Sequence, residues 1–144
     1  MVAFVLLASG CQSSQPLVPR EIYQQVNDDG REWTYDTAWQ NIRKLNADLE
    51  SGELSTVADD ALLITSQMER LKTGRATPLN RSWATALVER VSRETETRSL
   101  ELNIREARQT ALHLQDTFDA GDFTSAQEAA LEVHVITRDM DLEG

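Results

Sequence analysis

QNIRKLNADLESGELSTVADDAL (Gln40–Leu62) and QTALHLQDTFDAGDFTSAQEAAL (Gln109–Leu131) align without a gap at an offset of 69 residues. Gln40 pairs with Gln109, Leu45 with Leu114, Leu49 with Phe118, Glu50 with Asp119, Gly52 with Gly121, Leu54 with Phe123, and Ala61-Leu62 with Ala130-Leu131. Each copy reads as one helix, a glycine suited to positive φ at its end, and a second helix with hydroxyls placed to cap its start. Two such αα-hairpins predict an all-α fold, a four-helix bundle occupying residues 31–144.

Outward from the repeat the periodicity stays helical. Trp39, Ile42, Leu45 and Leu49 recur at helical spacing, with Asp36 or Thr37 placed to cap the first helix. Leu54, Val57, Ala61, Leu62, Met68 and Leu71 mark the second helix, and Phe123, Ala126, Ala130, Leu131, Val133 and Ile136 the last. Between the two copies, Thr77-Pro78 opens a stretch from Leu79 to Ala120 with neither glycine nor proline. It holds two apolar stripes, Trp83-Leu87-Val91 and Leu102-Ala107-Ala111-Leu114-Phe118, separated by SRETETRS (Ser92–Ser99). Glu89–Arg93, Arg90–Glu94, Glu94–Arg98 and Glu101–Arg105 stand four apart with opposite signs, a spacing that supports an exposed helix. The pattern predicts one long third helix of roughly 60 Å that overhangs its neighbours. A loop over 92–99 is the alternative. On the long helix Trp83 and Leu87 lie in the overhanging part, packed in the core or forming a dimer contact.

The N-terminus reads differently. Val2–Ala8 is apolar but far short of the roughly 20 residues that cross a bilayer. Ala8-Ser9-Gly10-Cys11 resembles a bacterial lipobox, small residues ahead of a cysteine that becomes the lipidated first residue. Ala8 stands where that family prefers leucine, and no Lys or Arg precedes Arg20. The resemblance implies a signal peptide over 1–10, an acylated Cys11, and a tether over 11–30 holding the domain at a membrane. With Gln12 after the cysteine, a Gram-negative host would send it to the outer membrane, facing the periplasm. Cys11 is the only cysteine, so no disulfide is available.

Net charge is −10, and from Ala111 onward eight carboxylates face one cation, Arg138. A nucleic-acid surface is therefore not expected. The segment FDAGDFTSAQEAALEVHVITRDMD (Phe118–Asp141) is similar to the closing hairpin of the four-helix-bundle cytochromes of the bacterial periplasm, of soluble b type. That likeness implies the bundle fold only. The family's haem histidine falls at Asp141, and Asp36–Ser51 contains no methionine. The Gly-Asp-Phe turn also resembles half of a tetratricopeptide repeat, but the chain holds no 34-residue copy of it.

No phosphate loop, Gly-x-Ser-x-Gly motif or free nucleophilic cysteine beyond Cys11 stands in the chain, so no catalytic residue and no cofactor is assigned. His113 and His134 lack the Glu-x-x-His spacing of di-iron bundles, and no metal is expected. Trp33, Tyr35, Trp83, His113 and His134 remain as ligand or partner contacts, with Trp33 and Tyr35 an aromatic pair just ahead of the first helix. The expected role is a lipid-anchored envelope module that binds or scaffolds a protein partner, or self-associates. The alternatives are a small-ligand or haem/metal carrier, with Met68 or Met140 beside a histidine, and an enzyme or enzyme subunit.

Overall fold

The computed structural model describes residues 31–73 and 82–140. They form five helices: α1 Arg31–Ser51, α2 Val57–Thr73, α3 Ser82–Glu96, α4 Leu100–Asp119 and α5 Phe123–Arg138. The fold is all-α. The segments read as signal peptide, acylated Cys11 and tether lie outside the described residues.

Helix α1 packs on α2 and α4, and α5 packs on α2 and α4, so each of these four touches two others. Helix α3 packs on α5. The shared core is aliphatic, with Ile42, Leu45, Leu49, Ile64, Met68, Leu114 and Phe118 fully or almost fully buried. Ala61, Ala107, Ala111, Ala126 and Ala130 let the helices approach closely. One aromatic cluster joins α1, α4 and α5. Tyr35 stacks on Phe118 with ring centroids 4.9 Å apart, and Phe123 closes on Phe118 at 5.7 Å.

The sequence repeat is a structural one. Gly52 and Gly121 both take positive φ, +85° and +82°. In each copy the residue after the glycine donates its N–H five residues back, Glu53 to the Asp48 carbonyl at 2.8 Å and Asp122 to the Thr117 carbonyl at 2.9 Å. This is the six-to-one bond of a glycine-ended helix. The packing between copies is also reciprocal. Gln127 Nε2 donates to the Thr65 carbonyl at 3.2 Å, and His134 Nδ1 lies 2.8 Å from the Ala58 carbonyl. At the 69-residue offset Gln127 corresponds to Ala58 and His134 to Thr65, so the two contacts join equivalent pairs of positions, with the side chain coming from α5 in both. Asn46 and Gln115, themselves equivalent, meet at 3.3 Å where the approximate two-fold passes between α1 and α4.

Two sequence expectations are corrected. The long third helix is two helices. Ser99 turns out of helical geometry (φ −69°, ψ 161°), and its hydroxyl caps α4 by accepting from Leu102 N–H at 3.2 Å. Buried Asn103 reaches back to the Thr95 carbonyl at 3.1 Å and accepts from Arg98 Nε at 2.9 Å. Arg98 is thereby drawn towards Glu106, 3.8 Å away, rather than along the helix to Glu94. Hydroxyl side chains that bond local backbone favour such a break over helix continuation. Second, Asp36 and Thr37 do not cap α1, which already runs from Arg31. Trp33 and Tyr35 lie inside the helix, where Thr37 Oγ1 donates to the Trp33 carbonyl at 2.8 Å.

Lys44 staples the first hairpin. Its ammonium donates to Asp48 at 2.8 Å, Asp60 at 2.9 Å and Thr56 at 3.3 Å. The bonds to Asp48 and Asp60 hold it well above the ordinary lysine range.

Candidate functional site

Helix α5 presents Gln127, Leu131, His134 and Arg138 along one side at helical spacing, between α2 and α3. This strip carries a buried polar chain at one end and a cleft at the other. At its N-terminal end, Lys72 Nζ donates to Gln127 Oε1 at 2.8 Å, and Gln127 Nε2 donates to Glu69 Oε1 at 2.9 Å. Glu69 and Gln127 are completely buried. The amide joins a cation to a carboxylate, and only one orientation of its oxygen and nitrogen serves both. Asn41 Nδ2 donates to Gln67 Oε1 at 3.3 Å nearby. The two-fold is broken here, since Ala58 stands opposite Gln127 and Arg138 opposite Glu69 at the repeat offset. Repetition of the hairpin does not demand this buried polar chain, which joins the two halves and has no counterpart at Ala58 and Arg138.

At the other end lies a cleft of about 440 Å³ lined by Leu62, Ala84, Val88, Leu131 and His134, with Glu89 and Arg138 also on its wall. A carbonyl can only accept, so in the neutral ring Nδ1 carries the proton shared with Ala58 and Nε2 is left as acceptor. A second cleft, of about 380 Å³, lies on the far side of α3 against α4 and α5. Arg138 borders both clefts and donates to Ser92 Oγ of α3 at 3.1 Å.

Glu132 faces α3 from α5, with Arg90 3.7 Å away. Burial pushes its carboxyl above the ordinary 4.5 against the attraction of Arg90, with smaller upward contributions from Glu94 and Glu128. The folded state therefore holds this proton more tightly than the unfolded chain, and stability falls as pH rises through the window above 4.5. Glu132→Gln should be at least as stable as the parent at pH 7, and that advantage should shrink as pH falls to about 4. Urea midpoints at the two pH values measure this, and an advantage that grows on acidification would contradict it.

The remaining expected contacts are dispersed. Trp33 and Tyr35 are not a pair: Trp33 is 72% exposed, whereas Tyr35 is 1% exposed within the aromatic cluster. Trp83 is half-buried against the core, with Lys72 Nζ 6.0 Å from its ring centre, and Leu87 is buried. Both pack against the core, in place of the overhang that a single long helix would have made. His113 is exposed on α4 at the position equivalent to Lys44 and adds a small downward pull on Asp122. Asp122 caps α5 by accepting from Ser125 N–H, the main cause of its lowered carboxyl. Met68 is fully buried in the core. Cys11 lies outside the described residues. Among the described residues no three His, Cys, Asp or Glu side chains converge as metal ligands.

Sequence reading missed Glu69 and Gln127. For Gln127 a signal was available only through the repeat, as a polar residue where the equivalent position carries alanine. It also missed the Trp39–Arg43–Asp119 group. Arg43 lies 4.2 Å over the Trp39 ring and pairs with Asp119 at 2.9 Å, while Trp39 Nε1, Arg43 Nη1 and Asp119 Oδ1 are buried without a hydrogen-bond partner. No protein-family model matches the chain, and no curated protein or solved structure matches it.

Proposed function

We propose that the chain is a lipid-anchored cell-envelope protein whose helical domain binds or scaffolds a protein partner. The ring of contacts among α1, α2, α4 and α5 supports its reading as a four-helix bundle with α3 added outside. Cys11 supplies the acyl acceptor, twenty residues ahead of Arg31. The observation that carries the binding role is Trp33. It stands open to solvent and lines, with Leu63, Thr34, Thr37, Ser66 and Gln67, a groove of about 460 Å³ between α1 and α2. Leu63, Ser66, Gln67 and Arg70 succeed one another at helical spacing along its α2 wall. Two parallel rows of this kind take the ridge of a third, amphipathic helix, and an exposed tryptophan is the side chain that most often anchors such contacts. The partner is accordingly an envelope protein that presents an apolar helix face.

Intact mass and detergent partitioning of the protein expressed with its native upstream start, beside Cys11→Ala, test the anchor. The expected product begins at Cys11 with acyl mass and enters the detergent phase. Retention of unmodified residues 1–10 in the aqueous phase would remove the anchor. For the binding face, Trp33→Arg should keep the parental unfolding midpoint yet abolish stoichiometric co-purification of a partner cross-linked from position 33 through an amphipathic helix. An unchanged complex would remove that face.

The cleft beside His134 favours one second reading, a small-ligand carrier. Native mass spectrometry and absorption of the purified protein distinguish it, a bound molecule or visible band counting for it.

A further inference from the structure

The segment Ser92–Ser99 carries two contradictory instructions. Its charge spacing and its freedom from glycine and proline specify a continuous helix, yet the chain turns there. The turn is held by few contacts. Ser99 is its extended residue, and the bonds peculiar to the bend are the Ser99 cap on Leu102 N–H, Asn103 to the Thr95 carbonyl, Arg98 to Asn103, and the Arg98–Glu106 ion pair. Thr97 and Arg98 donate their N–H groups only three residues back, to Glu94 and Thr95, the tightened geometry of a helix end. Rotation of the Ser99 backbone into helical range joins α3 to α4. The bonds of the bend are then exchanged for four-residue backbone bonds across the junction and a Glu94–Arg98 pair. Ser82–Asp119 would become one rod of roughly 57 Å.

Straightening the junction withdraws α1–α3 from the same chain's α4–α5 but destroys none of their complementarity. The surfaces α5 offers to α2 and α3 are met equally well by a second copy. We propose that residues 97–99 are a hinge through which two copies of this chain exchange halves, α1–α3 of each packing on α4–α5 of the other. The occupant of the vacated surface is thus fixed by identity. Leu87 and Val91 bury against the second copy's α5, Arg90 meets its Glu132 and Ser92 its Arg138, as they do within one chain. Because the contacts are conserved in number and kind, the balance between monomer and dimer rests on the hinge and on protein concentration, the condition under which short junctions exchange. The inference does not depend on the lipid anchor or on the Trp33 face.

The test uses the full chain with Cys11→Ser. Light scattering after size exclusion should show a concentration-dependent dimer whose association constant rises at least tenfold in Ser99→Ala/Asn103→Ala, which removes bonds found only in the bend. It should fall in Thr97→Gly, which penalises the continuous helix. To identify the interface, Arg90→Cys protein is mixed with Glu132→Cys protein, refolded from urea together, and treated with a short bis-maleimide. Exchange predicts a cross-linked heterodimer joining positions 90 and 132. A dimer without this cross-link is a different association and overturns the proposal. So does a monomer at every concentration in both the parent and Ser99→Ala/Asn103→Ala. If the double variant fails to fold, the cross-link in the mixture with its hinge intact decides alone.

Discussion

Gln127→Leu is expected to cost about 3 kcal/mol of stability, although leucine nearly matches glutamine in volume. Gln127 is completely buried, accepts from the Lys72 ammonium and donates to the Glu69 carboxylate. Hydrogen bonds to charged groups are each worth roughly 1.5–3 kcal/mol, and withdrawing a donor from a buried carboxylate adds its desolvation penalty. The gain from burying two more apolar atoms is of order 1 kcal/mol and does not offset this. In a thermal melt the loss corresponds to a fall on the order of 10–20 °C. Gln127→Glu should be worse at pH 7 and recover as pH falls, because two carboxylates at hydrogen-bond distance cannot both ionise. A cost below about 1 kcal/mol for Gln127→Leu would mean that the Lys72–Gln127–Glu69 chain does not tie α2 to α5.

Much of the fold was legible because its information is local. Gly52 and Gly121 are required where a helix must end in positive φ, and the residues around them repeat because the same local problem is solved twice. The apolar stripes of α2 and α5 face inward as spaced, except Leu62, which is 39% exposed. Nor does Leu102: it is 42% exposed, while Asn103 beside it is buried. A stripe drawn through a helix that was really two shifts phase at the break, so the first turn of α4 was assigned to the wrong face. The break itself turns on Ser99 and Asn103, polar residues whose side chains have helical and non-helical uses of nearly equal energy. Charge spacing and the absence of glycine and proline favour the helix, and at a few tenths of a kcal/mol per pair the charges are outweighed by one cap.

The polar strip was not legible for a different reason. Glu69 and Lys72 are three apart on one helix, and such pairs are ordinary on a solvated face. What makes them unusual is that α5 lies over Glu69 and supplies Gln127 from 58 residues away. Burial converts a commonplace charge into an expensive one, and burial is a property of packing rather than of spacing. The same distinction separates Trp33 from Tyr35. Two aromatics two residues apart in a helix point roughly 200° away from each other, so the helical assignment of Arg31–Ser51 sends one to the core and the other to solvent.

Phe118→Ala tests that division and should have the largest effect of any single truncation, about 3–5 kcal/mol. Phe118 is completely buried, stacks on Tyr35 at 4.9 Å and touches Phe123 at 5.7 Å, so its removal loses its own burial and two ring contacts and leaves a cavity where three helices meet. Leu49 is its equivalent in the first hairpin and is almost as deeply buried. Leu49→Ala should cost about 2–4 kcal/mol, less than Phe118→Ala, because a smaller side chain leaves a smaller cavity. Trp33→Ala removes a larger side chain than either, yet should move the unfolding midpoint by no more than about 0.5 kcal/mol, since a residue 72% exposed has little burial to lose. Urea unfolding of the three variants gives the order directly. If Trp33→Ala proved as costly as Leu49→Ala, Trp33 would be a packing residue and the α1–α2 groove would lose its claim to a partner. If Phe118→Ala proved mild, the aromatic cluster would not be the joint that holds the second hairpin to the first.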